Sequence, residues 1–243
     1  AGSALRPCRT GWMSATLQPE WLETIDSRPW LPELRGAMLR IPPVERTGPL
    51  WRVRKPLTRL TIPAKSDKDA RALAQAVVEA HRRARPLTTG RITLAIVNRV
   101  ETALALNRAV DALVSDASAP PEVRLIHSRF RGLERKTWME EFLSRPACED
   151  ATADRIIIAT QVVEAGVDIS ATALVTELAP WPSLVQRFGR AARYGGEAEV
   201  VVIDREVSGK DALPYAEAEL LAAREALQLL EDVGLESLEE LEA

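Results

Sequence analysis

The sequence predicts an α/β fold, a parallel sheet with helices on both faces. Two observations predict it. From Thr61 onward short apolar runs alternate with stretches whose apolar residues recur at helical spacing. The run at residues 92–97, all aliphatic but for Thr93, has the composition of a strand buried on both sides.

The elements follow in order. Residues 11–17 read as a short strand carrying Ser14, Ala15 and Thr16, and the next forty or so, rich in proline, tryptophan and arginine, show no sustained period. This predicts an irregular inter-domain connection. Residues 28–59 hold 8 basic and 2 acidic side chains interleaved with Trp30 and Trp51. That mixture suits a nucleic-acid path, and equally suits tryptophans packed under a linker. Residues 67–85 place Ala70, Leu73, Ala74, Val77 and His81 on one helical face. After strand 92–97 comes a helix with Leu106, Val110, Leu113 and Val114 on its apolar side. Further strands are predicted at residues 123–127, 155–160, 172–178 and 198–203, and helices near 131–143 and 183–193. From Leu213 the apolar residues Leu213, Ala216, Leu220, Ala223, Leu227 and Leu230 predict an amphipathic helix interrupted at Gly234, its acidic face solvated or docked on another domain.

The chain has 243 residues and 46% hydrophobic content, enough for one full core and part of a second. No apolar run reaches bilayer length and the first residues lack a secretory pattern, so no membrane is expected and a cytoplasmic location is. Cys8 and Cys148 lie far apart with only His81 and His127 for company, which predicts reduced thiols and no metal site. The net charge of −3 is unevenly placed. From Asp204 onward there are 12 acidic residues against 3 basic, leaving 23 acidic and 29 basic before it, so the body is basic enough to meet a phosphate backbone.

The chemistry concentrates in a few blocks. Gln186, Arg187, Phe188, Gly189, Arg190, Ala191, Ala192 and Arg193 place two arginines three residues apart, expected at the head of a helix, where planar charged forks suit terminal phosphates. Residues 159–168, A-T-Q-V-V-E-A-G-V-D, follow an apolar strand. There Thr160 and nearby amides can hold a DNA phosphate, Gly166 allows a tight backbone approach, and Asp168 can bind a ribose or an arginine of the later block. His127, Ser128 and Arg129 stand between a strand and a helix, where amides and a hydroxyl can meet a phosphate, or where a strand-end histidine is simply satisfied. Asn98 ends its strand, the position of a helix N-cap. Arg187 can equally face solvent. Every block is expected at the carboxyl ends of strands, where ligands gather in open α/β sheets.

Together these blocks resemble motifs III, V and VI of superfamily 2 helicases. The spellings V-V-E-A-G-V-D-I and L-V-Q-R-F-G-R, with H-S-R-F at residues 127–130, are similar to the helicase half of the CRISPR-associated helicase-nuclease of type I systems, over roughly residues 12–204. The resemblance implies a RecA-like second motor domain at residues 56–208. Residues 1–55 would be the end of the first motor domain and its connection, and residues 209–243 an acidic helical tail. It implies Arg190 and Arg193 as arginine fingers on the γ-phosphate with Gln186 as a polar sensor, and Gly166 and Asp168 in the ATP cleft. Thr160, His127, Ser128 and Arg129 would contact the nucleic-acid strand, Asn98 would stand for motif IV, and Ser14, Ala15 and Thr16 would couple hydrolysis to movement.

The sequence lacks G-x-x-x-x-G-K-[ST], the D-E-x-[HD] pattern and any His-Asp pair, so Walker A, Walker B and the HD nuclease signature are all absent. The chain is therefore expected to begin inside the first motor domain and to be inactive alone. The expected function is that of the C-terminal half of an ATP-dependent DNA helicase or translocase of type I CRISPR antiviral defence. ATP and Mg2+ would be held mainly by the missing first domain. Single-stranded DNA, that first motor domain, the HD nuclease and a CRISPR surveillance complex are the implied partners. The alternatives are another superfamily 2 DNA or RNA helicase fragment and a non-catalytic nucleic-acid-binding module.

Overall fold

The computed structural model describes residues 29, 31–36, 41–64, 68–84, 89–130 and 132–242. Its contacts divide the chain into two units, Ala1–Arg46 and Thr47–Ala243. That division falls after Arg46, ahead of the boundary drawn at residue 55 from sequence. In the first unit the described elements are a short helix, α1 (Leu31–Gly36), and a 3₁₀ turn at Pro43–Glu45. Ser14, Ala15, Thr16, Trp30 and Cys8 lie outside the described residues.

The second unit is built on six parallel strands: β1 (Leu57–Thr61), β2 (Arg91–Ile96), β3 (Glu122–Ile126), β4 (Asp154–Ala159), β5 (Ala173–Glu177) and β6 (Glu199–Asp204). Their order across the sheet is β1-β6-β5-β2-β4-β3, and every pairing is parallel. Side chains alternate between faces along a strand, and the inner strands β2, β4, β5 and β6 are dry on both faces. Ile92, Leu94 and Ile96 of β2 enter one core while Ala95 and Val97 enter the other. The second core is closed by α2 (Lys68–Arg83) and α3 (Val100–Val114) through Leu73, Val77, Leu106 and Val110. On the opposite face lie α6 (Trp181–Phe188), α7 (Glu217–Gln228) and α8 (Leu235–Glu242), with the short helices α4 (Gly132–Glu141) and α5 (Arg145–Glu149) between β3 and β4. The predicted parallel α/β sheet is the observed fold. Among the described residues no helix is long and apolar enough to cross a membrane.

The structure departs from the sequence expectations at four elements. β1 was not anticipated; it is an edge strand of five residues whose middle residue, Arg59, turns outward to the tail carbonyl of Leu227 at 2.7 Å. α5 is likewise additional. α6 stops at Phe188, short of residue 193, because Arg190 and Ala192 pair their main chain with Ala171 and Ala192 takes φ 44°. In the tail, Leu213 is exposed and precedes Pro214; the helix starts only at Glu217, where Glu219 accepts the Ala216 N–H at 3.1 Å.

The tail's apolar side lies in the core of this same unit, through Leu220, Ala223, Leu227, Leu230, Val233 and Leu238. Its break before α8 brings main chain against main chain. A Cβ at Gly234 would stand 2.5 Å from the Val53 carbonyl oxygen, so only glycine fits. Asp232 accepts the Lys55 N–H at 2.7 Å in the same place.

Candidate functional site

The loop after β4 organises the site. Thr160 ends the strand, a 3₁₀ turn spans Gln161–Val163, and residues 164–170 run back beside the end of α6. Gly166 sits at φ 73° with no described atom within 4 Å of an added Cβ. The glycine is needed here for its left-handed conformation. Two carbonyls of this loop hold Arg190: Nη1 donates to Val167 at 2.8 Å and Nη2 to Glu164 at 2.5 Å. Its Nε is buried with no partner among the described residues. Arg193 pairs through Nε with Asp168 Oδ1 at 2.8 Å, both side chains about half exposed. This arginine, with a smaller contribution from the Tyr194 hydroxyl, holds the Asp168 carboxyl below its usual range. The Tyr194 hydroxyl itself donates to the Asp168 carbonyl.

Arg190 and Arg193 are thus not at the head of a helix but beyond the end of one. Gly189 donates to Val185 at 3.0 Å to close α6, and the Arg190 carbonyl then accepts from Ala171 at 2.8 Å. The carbonyl end of a helix attracts cations, and Lys55 supplies one: Nζ donates to the Phe188 carbonyl at 2.9 Å. Burial lowers the Lys55 ammonium to about 8, opposed by Asp232 and assisted by Arg193. Sequence reasoning missed Lys55, which belongs to no motif and follows two other basic residues. Because Ala171 lies ahead of β5, the arginine–aspartate cluster sits one helix length back from the carboxyl edge of the sheet. The expectation that every block lies at that edge is corrected for these residues.

Arg187 does not face solvent. Its side chain is fully buried, the guanidinium spent on five hydrogen bonds to Glu164 Oε1 (2.8 Å), Thr176 Oγ1 (2.8 Å), the Glu177 carbonyl (3.1 Å), Asn98 Oδ1 (3.0 Å) and the Tyr215 hydroxyl (3.1 Å). The N-cap expected of Asn98 is also corrected. Arg99 holds that position before α3, while Asn98 donates to the Leu178 carbonyl at 2.8 Å and accepts from Arg187. Gln186 is half-buried one residue earlier on α6.

Thr160, His127 and Asn98 do stand together at the carboxyl edge, where the Thr160 N–H donates to the Ile126 carbonyl at 3.2 Å. Thr160 and His127 are nevertheless buried, 2% and 8% exposed, whereas Asn98 is half-buried and Ser128 and Arg129 are exposed. The His127 ring lies 4.3 Å from that of Phe130, its Nδ1 accepts the Arg129 N–H at 3.3 Å, and burial together with Arg129 lowers its pKa. Arg129 pairs with Glu101 at 2.7 Å. A cavity of about 240 Å³ continues this edge past β5 and β6, lined by Asn98, Arg99, Glu177, Arg205 and Arg224 among others. Cys148 is buried, a free thiol whose sulfur accepts the Ser170 N–H, and burial raises its pKa.

Residues 89–196, which carry nearly all of this geometry, match the family model described as CRISPR-associated nuclease/helicase Cas3, C-terminal. This segment is similar to a Cas3 C-terminal region. The chain is 34% identical over 148 residues to the CRISPR-associated helicase Cas3 of Thermoproteus tenax, an alignment covering 60% of this chain and 23% of that protein. Its fold is similar to that of a crystallised CRISPR-associated protein, with TM-score 0.61 and 26% identity over 84% of this chain and 23% of the other. It is also similar to T. fusca Cas3 with ATP, at TM-score 0.57 and 19% identity over 77% of this chain and 23% of the other. The chain spans less than a quarter of the length of these relatives. The Cas3-like segment runs from just before β2 through Arg193; β1, β6, Lys55 and the tail helices lie outside it.

Proposed function

We propose that this chain supplies the second motor domain of an ATP-dependent DNA helicase or translocase of type I CRISPR defence, and that it does not hydrolyse ATP by itself. The observation that carries this is the pair of arginines on the loop after α6, Arg193 half exposed against Asp168 and Arg190 held by the Glu164 and Val167 carbonyls with its Nε unpartnered among the described residues. Their placement fits nucleotide phosphates approaching from outside this domain. The relatives are named helicase or nuclease/helicase, and T. fusca Cas3 is known with ATP and with ADP.

Bound ATP supplies the phosphoryl group whose transfer drives the motor. Within this chain Arg190 and Arg193 would neutralise phosphate charge, with Gln186 beside them, and Asp168 on the loop of Gly166 would take the ribose. For Arg193 that requires exchanging its ion pair with Asp168 for the phosphate, an arrangement in which each waits in the partner's place. The D-E-x-[HD] pattern is absent from this sequence, so Mg2+ would be held mainly by the first motor domain. Ser128 and Arg129, exposed at the carboxyl edge beside Thr160 and His127, are the proposed contacts for single-stranded DNA. The HD nuclease and first motor domain would be supplied by the rest of the protein or a separate chain. A chain of similar fold in a structure described as a CRISPR RNA-guided surveillance complex, pre-nicking, supports that complex as the partner.

The test is single-stranded-DNA-stimulated ATP hydrolysis by this chain mixed with its upstream motor half, beside Arg193→Ala. Activity present in the mixture, absent from either half and lost in the variant supports the proposal. A folded, ATP-binding upstream half that gains nothing from this chain overturns it and favours a non-catalytic binding module.

A further inference from the structure

The helix α5 brings Arg145 to the cluster at Asp168. Its guanidinium carbon lies 4.9 Å from the centroid of the Tyr194 ring, and Glu149 fixes its Nε at 2.7 Å. The Tyr194 ring is itself anchored: its hydroxyl is spent on the Asp168 carbonyl and its N–H on Ser170 Oγ at 3.4 Å. Tyr194 is half-buried, while 59% of the Arg145 side chain remains open to solvent. A planar guanidinium laid over an aromatic ring offers its outer side for a second planar group, and arginine stacks in this way where lysine does not.

The order of these groups matters. Arg190 touches Val167 and Glu164, Arg193 touches Asp168, Tyr194 touches the Asp168 carbonyl, and Arg145 covers Tyr194. A wall of phosphate-binding cations, then a carboxylate, then a stacking plane has the order triphosphate, ribose, base.

We infer that Arg145 and Tyr194 form the stacking surface for the base of a nucleotide whose ribose lies at Asp168 and whose phosphates face Arg190 and Arg193. This rests on the nucleotide reading proposed above and extends it to residues outside every motif. Arg145 is the contacting residue, and Tyr194 holds its plane.

The experiment is a titration of the 243-residue chain with ATP and with ribose 5-triphosphate, joined to saturation-transfer NMR on the adenine H2 and H8 protons. In the wild type the adenine protons are expected to be saturated and ATP to bind about tenfold more tightly than ribose 5-triphosphate, the scale of one stacked base. Both Arg145→Ala and Arg145→Lys should bring ATP to the affinity of ribose 5-triphosphate and leave the latter unchanged, with unaltered thermal melts. Arg193→Ala should weaken both ligands. Equal binding of the two ligands by the wild type, or ATP affinity unmoved by Arg145→Ala, overturns the inference while leaving the phosphate site standing. Loss of single-stranded oligonucleotide binding with ATP unaffected would assign the pair to a DNA base and overturn it as well. Binding of neither phosphate ligand by the wild type would overturn the inference, while the nucleotide reading is decided separately by hydrolysis in the mixture with the upstream half.

Discussion

Lys55 Nζ reaches the Phe188 carbonyl at 2.9 Å, joining the segment before β1 to the last turn of the helix that leads into Arg190 and Arg193. The same residue's N–H binds Asp232, and its carbonyl accepts the Val233 N–H at 3.0 Å. One residue outside the Cas3-like segment therefore ties together the tail, the first strand and the arginine turn.

That position makes stability depend on alkaline pH. The Lys55 ammonium falls from an ordinary value near 10.5 to about 8 in the fold, so folding favours its neutral form. Between those values the unfolded chain binds the extra proton, and stability rises with pH. The contribution is fully present above about 10.5 and lost as pH falls to about 8, and is at most on the order of 3 kcal/mol. Urea titrations of wild type and Lys55→Met from pH 7.5 to 10.5 should show their difference moving toward the wild type with rising pH. A constant difference would contradict the assigned burial.

Arg187 should be the costliest single side chain on α6 to replace. Arg187→Met removes all five hydrogen bonds and leaves Glu164 and the Asn98 oxygen without their guanidinium, so a loss of about 3–5 kcal/mol is expected. Arg187→Lys keeps charge but not the fork and should still be strongly destabilised. Denaturant unfolding of the chain measures both, and a loss under about 1 kcal/mol for Arg187→Met would mean that these bonds are not formed in solution.

What was legible in the sequence follows from how burial writes itself. β2, β4 and β6 are dry on both faces, so each spells a continuous aliphatic run, and all three are located to within a residue. β1 spells L-T-R-L-T with Arg59 committed to tail carbonyls, a partner that exists only after folding. The blocks bearing Asp168, Arg190 and Arg193 are visible as residues, whereas the turn that presents them is not, because it depends on Ala171 pairing with Ala191. Arg187 was open between solvent and site for the same reason: Asn98, Glu164 and Tyr215 come from three distant segments. Arg145 belongs to no motif, and only the placement of α5 brings it to Tyr194.

His81 should give the fold an acid-sensitive term. The ring is 3% exposed, with Nδ1 2.9 Å from Thr93 Oγ1 and Nε2 2.9 Å from Asp154 Oδ1 but off the line of a hydrogen bond. Burial lowers its pKa below the ordinary 6.5, outweighing Asp154, which raises it. Folding then favours neutral imidazole, so its stabilisation is present above about pH 6.5 and lost as pH falls below it. Thermal melts at pH 7.5 and 5 should show a larger acid loss for wild type than for His81→Gln. Equal losses would place the acid sensitivity elsewhere.

Two glycines should separate conformational from steric cost. Gly166 has φ 73° and open space around an added Cβ, so Gly166→Ala should lose about 1–2 kcal/mol from left-handed backbone alone. Gly234→Ala would force a Cβ to 2.5 Å from the Val53 carbonyl oxygen and 2.8 Å from an Asp232 carboxylate oxygen, so the junction of tail and β1 must open. Its loss should therefore exceed that of Gly166→Ala in the same denaturant series. The two should differ in function as well. Gly166→Ala displaces the loop bearing Asp168 and should weaken ATP in the titration described above, whereas Gly234→Ala acts through stability and should spare ATP binding at temperatures where the chain stays folded. The reverse order of stabilities would mean that the tail does not pack on Val53 in solution.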